Sequence, residues 1–194
     1  MWIQLKKFAV QINALRRILI TFAIVSGLLL NAKVSWAANE EVFSPVSGNP
    51  VAPKLKLHDM DGKPVDLEKL KGKVVIVNFW ATWCPPCRAE MPSLQRLWEK
   101  LGASKIQIVA VNVGEDADTV LGFMGTLDES PTFPIVFDKD SATLRAWPVR
   151  GLPTTFLIDK KGHIAYRAIG GRHFDSPENI RFITEQSEGS SMGK

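Results

Sequence analysis

Cys84 and Cys87 are the only two cysteines in this chain of 194 residues. They stand in the run Phe79-Trp80-Ala81-Thr82-Trp83-Cys84-Pro85-Pro86-Cys87-Arg88. Two thiols at C-x-x-C spacing are suited to reversible disulfide formation and exchange, in which one thiolate attacks and the other resolves. Other uses of the pair fit less well. A structural zinc site needs about four protein ligands, and His58, His163 and His173 make no finger-like spacing with the cysteines. Haem attachment needs a histidine after the second cysteine, where Arg88 stands. A purely structural bridge would close a very short loop and gain little entropy.

The flanking sequence explains how the thiols would be held. Val74-Val75-Ile76-Val77-Asn78-Phe79 is β-branched and apolar on both alternations, as expected of a strand buried on both faces. After Cys87 the period changes: Met91, Leu94, Leu97, Trp98 and Leu101 recur at helical spacing. Pro85 and Pro86 lie at the switch, and proline suits a helix's first turn because its missing amide hydrogen has no partner there. The cysteines therefore belong at a strand-to-helix turn, where open α/β sheets place their chemistry. Helix N-termini favour negative charge. Cys84, first and expected to be the more exposed, is the candidate nucleophile; Cys87, on the buried stripe, is the candidate resolver. Glu90 shares that stripe with Leu94, Leu97, Trp98 and Leu101, one turn from Cys87. A carboxylate there would exchange the Cys87 proton and oppose its ionisation. The plainer alternative is a half-exposed glutamate favoured by the helix dipole.

Residues 1–37 have the build of an export segment. Lys6, Lys7, Arg16 and Arg17 form a basic region, Ile18–Leu30 an apolar core, and Ser35-Trp36-Ala37 a cleavage signal before Ala38. The core, about 13 residues, is short for a spanning helix, which needs about 20; an uncleaved membrane anchor is the alternative. This segment carries five basic residues, with Lys33, and no acidic ones, so removing it from the formal charge of +4 leaves −1. The basic balance belongs to the leader and gives no reason to expect nucleic acid as a partner. Exported proteins often use cysteines as staples; here both are committed to one C-x-x-C.

The remaining chain divides into a linker over 38–52, one domain over 53–186 and a disordered tail over 187–194. Leu55–His58 and Pro64–Leu67 read as a hairpin. Ile106–Val113 reads as a second buried strand. A helix is expected around Val120–Leu127, a short strand at Pro134–Phe137 and a short helix at Thr143–Trp147. Thr154–Ile158 and His163–Ile169 read as an antiparallel pair. Ser176-Pro177 reads as the cap and first residue of a last helix, through about Glu185. The pattern is a mixed α/β sheet.

These residues resemble the thioredoxin superfamily, and within it the exported TlpA/ResA-like branch related to the alkyl hydroperoxide reductase/thiol antioxidant group. Asn78–Cys87 looks like the active-site run, Pro92 like the proline that kinks the active-site helix, and Gly151-Leu152-Pro153-Thr154-Thr155-Phe156-Leu157-Ile158-Asp159 like the segment that begins with a cis-proline. The resemblance spans about Pro53 to Thr184. It implies a thioredoxin-like fold with a mixed central sheet flanked by helices and an N-terminal hairpin. It also implies a redox disulfide Cys84–Cys87, a cis Pro153 facing it, a buried Glu90, and Trp83 and Leu152 as substrate-binding residues. Leu152 would offer backbone hydrogen bonds to a substrate chain. One departure is Thr154, where the CcmG-type cytochrome c biogenesis members carry an acidic residue; this argues against a dedicated haem-apoprotein role.

The leading functional expectation is a thiol–disulfide oxidoreductase that reduces disulfides of exported proteins, cytochrome c maturation being one setting. It would work in the periplasm or at the outer face of the cytoplasmic membrane and be recharged by a membrane thiol electron donor, with no cofactor and no metal. The alternatives are a disulfide-forming oxidase, a peroxidase, against which the C-x-x-C form argues, and a copper-delivery module, since thiolates suit Cu(I).

Overall fold

In the computed structural model, residues 42–189 are described. The leader expected over residues 1–37 and the last five residues of the chain lie outside that range.

A six-stranded mixed sheet organises the domain, in the order β1-β8-β7-β4-β5-β6. Its strands are β1 (Ser44–Pro45), β4 (Val74–Trp80), β5 (Ile106–Val113), β6 (Ile135–Asp138), β7 (Thr154–Ile158) and β8 (Ile164–Ile169). β4 pairs parallel with β5 and antiparallel with β7, and β5 pairs parallel with β6. The expected hairpin forms as β2 (Lys56–His58) and β3 (Pro64–Asp66), and Asp59 bridges to Val136 of β6. Four α-helices accompany the strands among the described residues: α1 (Pro85–Lys105), α2 (Ala117–Met124), α3 (Ala142–Ala146) and α4 (Pro177–Glu188).

Every residue of β4 is buried, and its period of two splits the core into two layers. Val74, Ile76 and Trp80 join Cys87, Met91, Leu94 and Leu97 of α1, and Ile183 of α4, on one face. Val75, Val77 and Phe79 join Val109, Val111, Phe156 and Trp147 on the other. Phe79, Trp147 and Phe156 pack mutually at centroid distances of 5.3 to 6.1 Å. The sheet fixes β4, and α1 packs onto it, so the turn between them is held from both ends.

Several boundaries differ from the sequence reading, for local reasons. α2 starts earlier than expected because the Asp116 carboxylate caps it at the Thr119 amide, and it ends at Gly125. The backbone of α1 breaks at Gly102, with φ 69, whereas Pro92 keeps helical dihedrals. Ser176 caps α4 as expected, accepting from the Asn179 amide, but α4 runs to Glu188, so the first two residues assigned to a disordered tail are helical. Part of the expected linker is also ordered: Phe43 is buried between Phe174 and Phe182, and Ser44–Pro45 pairs with Tyr166–Arg167 on β8. Composition hid this, because two apolar side chains and a two-residue edge strand anchor an otherwise polar, turn-rich stretch.

Candidate active site

The chain leaves β4 after Trp80, makes a turn in which the Cys84 amide donates to the Ala81 carbonyl at 3.3 Å, and enters α1. Cys84 is the residue that caps α1, in extended conformation, with Pro85 and Pro86 in the first two helical positions. Cys84 and Cys87 are joined in a disulfide with their Cα atoms 5.3 Å apart. The expected difference in exposure is small: Cys84 is 4% exposed and Cys87 fully buried. Cys84 belongs to the same buried cluster as Cys87 instead of standing clear of it.

The loop that follows β8 covers the start of α1. Gly171 lies so close to Pro86 that a Cβ there would sit 3.0 Å from the Pro86 carbonyl oxygen. Ser93 Oγ donates to the Glu90 carbonyl at 2.7 Å and accepts from the Phe174 amide at 3.2 Å. The Arg172 amide donates to Glu90 Oε2 at 3.2 Å.

Glu90 is 1% exposed, which settles the choice between a buried and a half-exposed carboxyl. Three positions beyond Cys87 on α1, it lies on an adjoining part of the helix surface. Its Oε1 accepts from Asn78 Nδ2 at 2.7 Å, and the same amide donates to Thr155 Oγ1 at 2.8 Å. Burial pushes its pKa from 4.5 up to about 7, against the smaller opposing effects of the Asn78 amide and of Arg172. The site thus contains a buried carboxyl that changes charge near neutral pH.

Trp83 projects from the turn and is 67% exposed. The Leu152–Pro153 bond is cis, as the resemblance implied. Pro153 is buried at the start of β7, and its carbonyl accepts from the Gly170 amide at 2.9 Å. Leu152 is half-buried and packs against both core layers; among the described residues no backbone hydrogen bond involves it. No group of three or more His, Cys, Asp or Glu side chains converges into a metal site among the described residues, and no described helix is long and apolar enough to cross a membrane.

Sequence reasoning passed over several groups at this site. Asn78 carried a signal, as the one polar residue in a fully buried apolar strand. Arg172 and Gly171 carried none, because their role follows from where the loop after β8 lands. Glu115 was also missed; its carboxylate accepts from the Thr82 amide, the Thr82 hydroxyl and Asn112 Nδ2.

Comparisons with known proteins agree with this geometry. The sequence profile of the Redoxin family matches residues 46–180. The chain is 38% identical over 152 residues to the thiol-disulfide oxidoreductase ResA of Bacillus subtilis (strain 168), covering 77% of this chain and 83% of the relative. Among solved structures, it is similar to a putative thiol:disulfide interchange protein DsbE from Chlorobium tepidum, with a TM-score of 0.61, 32% identity, and coverage of 75% of this chain and 97% of that one. It is also similar to StoA from Bacillus subtilis, with a TM-score of 0.57, 26% identity, and coverage of 71% and 98% respectively.

Proposed function

The chain belongs to the Redoxin family as a homologue of the ResA thiol–disulfide oxidoreductases and is itself a thiol–disulfide oxidoreductase; from that premise we propose that it works reductively, on disulfides of exported proteins. In this reading the Cys84 thiolate attacks one sulfur of a partner disulfide. A mixed disulfide forms and the partner's other sulfur leaves as a thiolate. The Cys87 thiolate then attacks Cys84 Sγ, releasing the second partner thiol and leaving the Cys84–Cys87 disulfide. Two electrons pass to the partner, and an external thiol donor restores the dithiol. The catalytic domain runs from Phe43 and β1 to the end of α4, and the leader directs it to the outer side of the cytoplasmic membrane, cleaved or retained as an anchor.

The buried Glu90 is the observation that carries the reductive direction. A dithiol is a strong oxidant's product when its thiolate is unusually stabilised, as in DsbA. Here the first two helical positions are prolines and offer no amide hydrogens. Of the first turn's backbone donors, that leaves the Cys87 amide, at the third position, for a Cys84 thiolate. A carboxyl with a pKa of about 7, one turn beyond Cys87, further opposes ionisation of the Cys87 thiol once it is itself charged. Both features withhold stabilisation from the reduced pair and so favour giving electrons away. Glu90 in this account moves the Cys87 proton, Pro153 closes the site, and Trp83 and the free backbone of Leu152 meet the partner chain.

Equilibration with glutathione or dithiothreitol buffers, followed by thiol alkylation and mass analysis, tests the direction. A potential below about −200 mV, toward the thioredoxin range, is expected. A value near the roughly −120 mV of DsbA would make the protein an oxidase.

A further inference from the structure

The turn that delivers Cys84 is fastened by a side chain from the neighbouring strand. β4 and β5 run parallel with Trp80 opposite Asn112, so both leave the sheet at the same end. After β5 the backbone passes through Gly114 at φ 74, a left-handed conformation that glycine adopts without strain. Glu115 follows, beside the loop that leaves β4. Its carboxylate accepts from the Thr82 amide at 2.8 Å, from the Thr82 hydroxyl, and from Asn112 Nδ2 at 2.7 Å.

Each of these donors has a reason to need Glu115. Thr82 lies just past the end of β4, where its amide has left the ladder, and a half-buried amide without a partner is costly. Asn112 is fully buried, and its Oδ1 has no hydrogen-bond partner. A polar side chain in that place is accounted for by the bond to Glu115. Bonds to a carboxylate are about twice as strong as neutral ones. They act on a turn whose own closing bond, Cys84 N–H to Ala81 carbonyl, is long at 3.3 Å. Thr82 and Trp83 are the two central residues of that turn. Fixing Thr82 therefore fixes the direction in which the exposed Trp83 indole leaves it.

We propose that Glu115 is a positioning residue that locks the Ala81–Cys84 turn, through the Thr82 amide and hydroxyl, so that Trp83 is presented to an incoming protein disulfide in one orientation. The inference rests on the reading above, in which a disulfide-bearing protein docks beside Trp83. Glu115 takes no part in the sulfur chemistry; its effect lies on docking.

The test uses reduction of insulin with dithiothreitol as electron source, together with amide hydrogen exchange at Thr82. Glu115→Gln keeps the volume but turns one acceptor into a donor facing donors; Glu115→Ala removes the group. In both variants KM for insulin should rise about tenfold while kcat changes by less than about twofold, on the scale of one lost charged hydrogen bond. Exchange at the Thr82 amide should accelerate, with both variants still fully folded at the assay temperature. Equal losses in kcat and KM tracking a lower melting temperature would mean a merely structural role and overturn the proposal. Unchanged Thr82 exchange, or faster exchange with unchanged KM, would also overturn it. A wild type inert toward insulin would instead sink the reading that the protein reduces the disulfides of other proteins, and the docking role with it.

Discussion

Asn78 Nδ2 donates to Glu90 Oε1 at 2.7 Å across the junction of β4 and α1. The strand leading into the active-site turn and the helix leading out of it are thus tied by one buried polar contact. The same amide reaches Thr155 on β7, two residues past the cis Pro153. Three segments that must keep their relative positions during exchange meet at one side chain. An amide also suits the place better than a carboxylate would, because it donates to Glu90 in either charge state.

The raised pKa of Glu90 makes stability depend on pH. In the oxidised protein the folded state keeps this carboxyl protonated up to about pH 7, whereas its ordinary value is 4.5. The folded state then binds more protons at Glu90 than the unfolded one between these values, so this group's contribution to stability is fully present below about 4.5 and is lost as pH rises to about 7. The loss is on the order of 3 kcal/mol. Urea unfolding of the oxidised protein at pH 5 and pH 8 should show it, and Glu90→Gln should flatten the decline. An equal decline in both proteins would place the titration elsewhere.

Glu90 should also govern the thiols. Its charge, once formed, disfavours a second negative charge one helical turn away. Reduced Glu90→Gln should therefore develop thiolate absorbance at 240 nm at lower pH than reduced wild type, and its pH–rate profile should move the same way. Superimposable titrations would reduce Glu90 to a structural acid.

Removing the amide should push Glu90 further in the same direction. Asn78→Ala deletes the donor that most opposes the effect of burial. The carboxyl titration, followed by carbon NMR, should move to higher pH. Stability should fall by about 1–3 kcal/mol, as expected when a buried acceptor loses its partner. An unmoved carboxyl midpoint would show that the Asn78 amide has no part in setting it.

The parts of this site that were legible in the sequence are those governed by local periodicity. The apolar run of β4, the helical stripe from Met91 to Leu101 and the prolines between them place Cys84 at the start of α1. The stripe also put Glu90 inward, and the structure has it buried. The resemblance supplied what periodicity could not, the cis bond before Pro153. Contacts set by topology stayed invisible. Glu115 reaches Thr82 across 33 positions of sequence only because β4 and β5 end side by side. Phe43 gave no periodic signal in a stretch rich in Ser, Pro and Gly, and its burial depends on Phe174 and Phe182.

Gly171 tests how tightly the loop after β8 closes over the active-site turn. A Cβ at this position would meet the Pro86 carbonyl oxygen at 3.0 Å and Pro86 Cβ at 3.1 Å. Neither can swing aside as the end of a flexible side chain would. Gly171→Ala should therefore cost about 1–3 kcal/mol of stability, the range for overpacking. It should also expose Cys84 to faster alkylation in the reduced protein. Unchanged stability and unchanged alkylation would mean that the loop yields freely.

The division of labour between the two thiols is the centre of the account, and trapping tests it most directly. Cys87→Ser leaves the nucleophile without its resolver, so mixing the reduced variant with a disulfide-bonded protein should accumulate a mixed disulfide through Cys84, located by peptide mass spectrometry. Cys84→Ser should accumulate none under the same conditions. An adduct on Cys87 in the Cys84→Ser variant, with none on Cys84 in Cys87→Ser, would contradict the assignment.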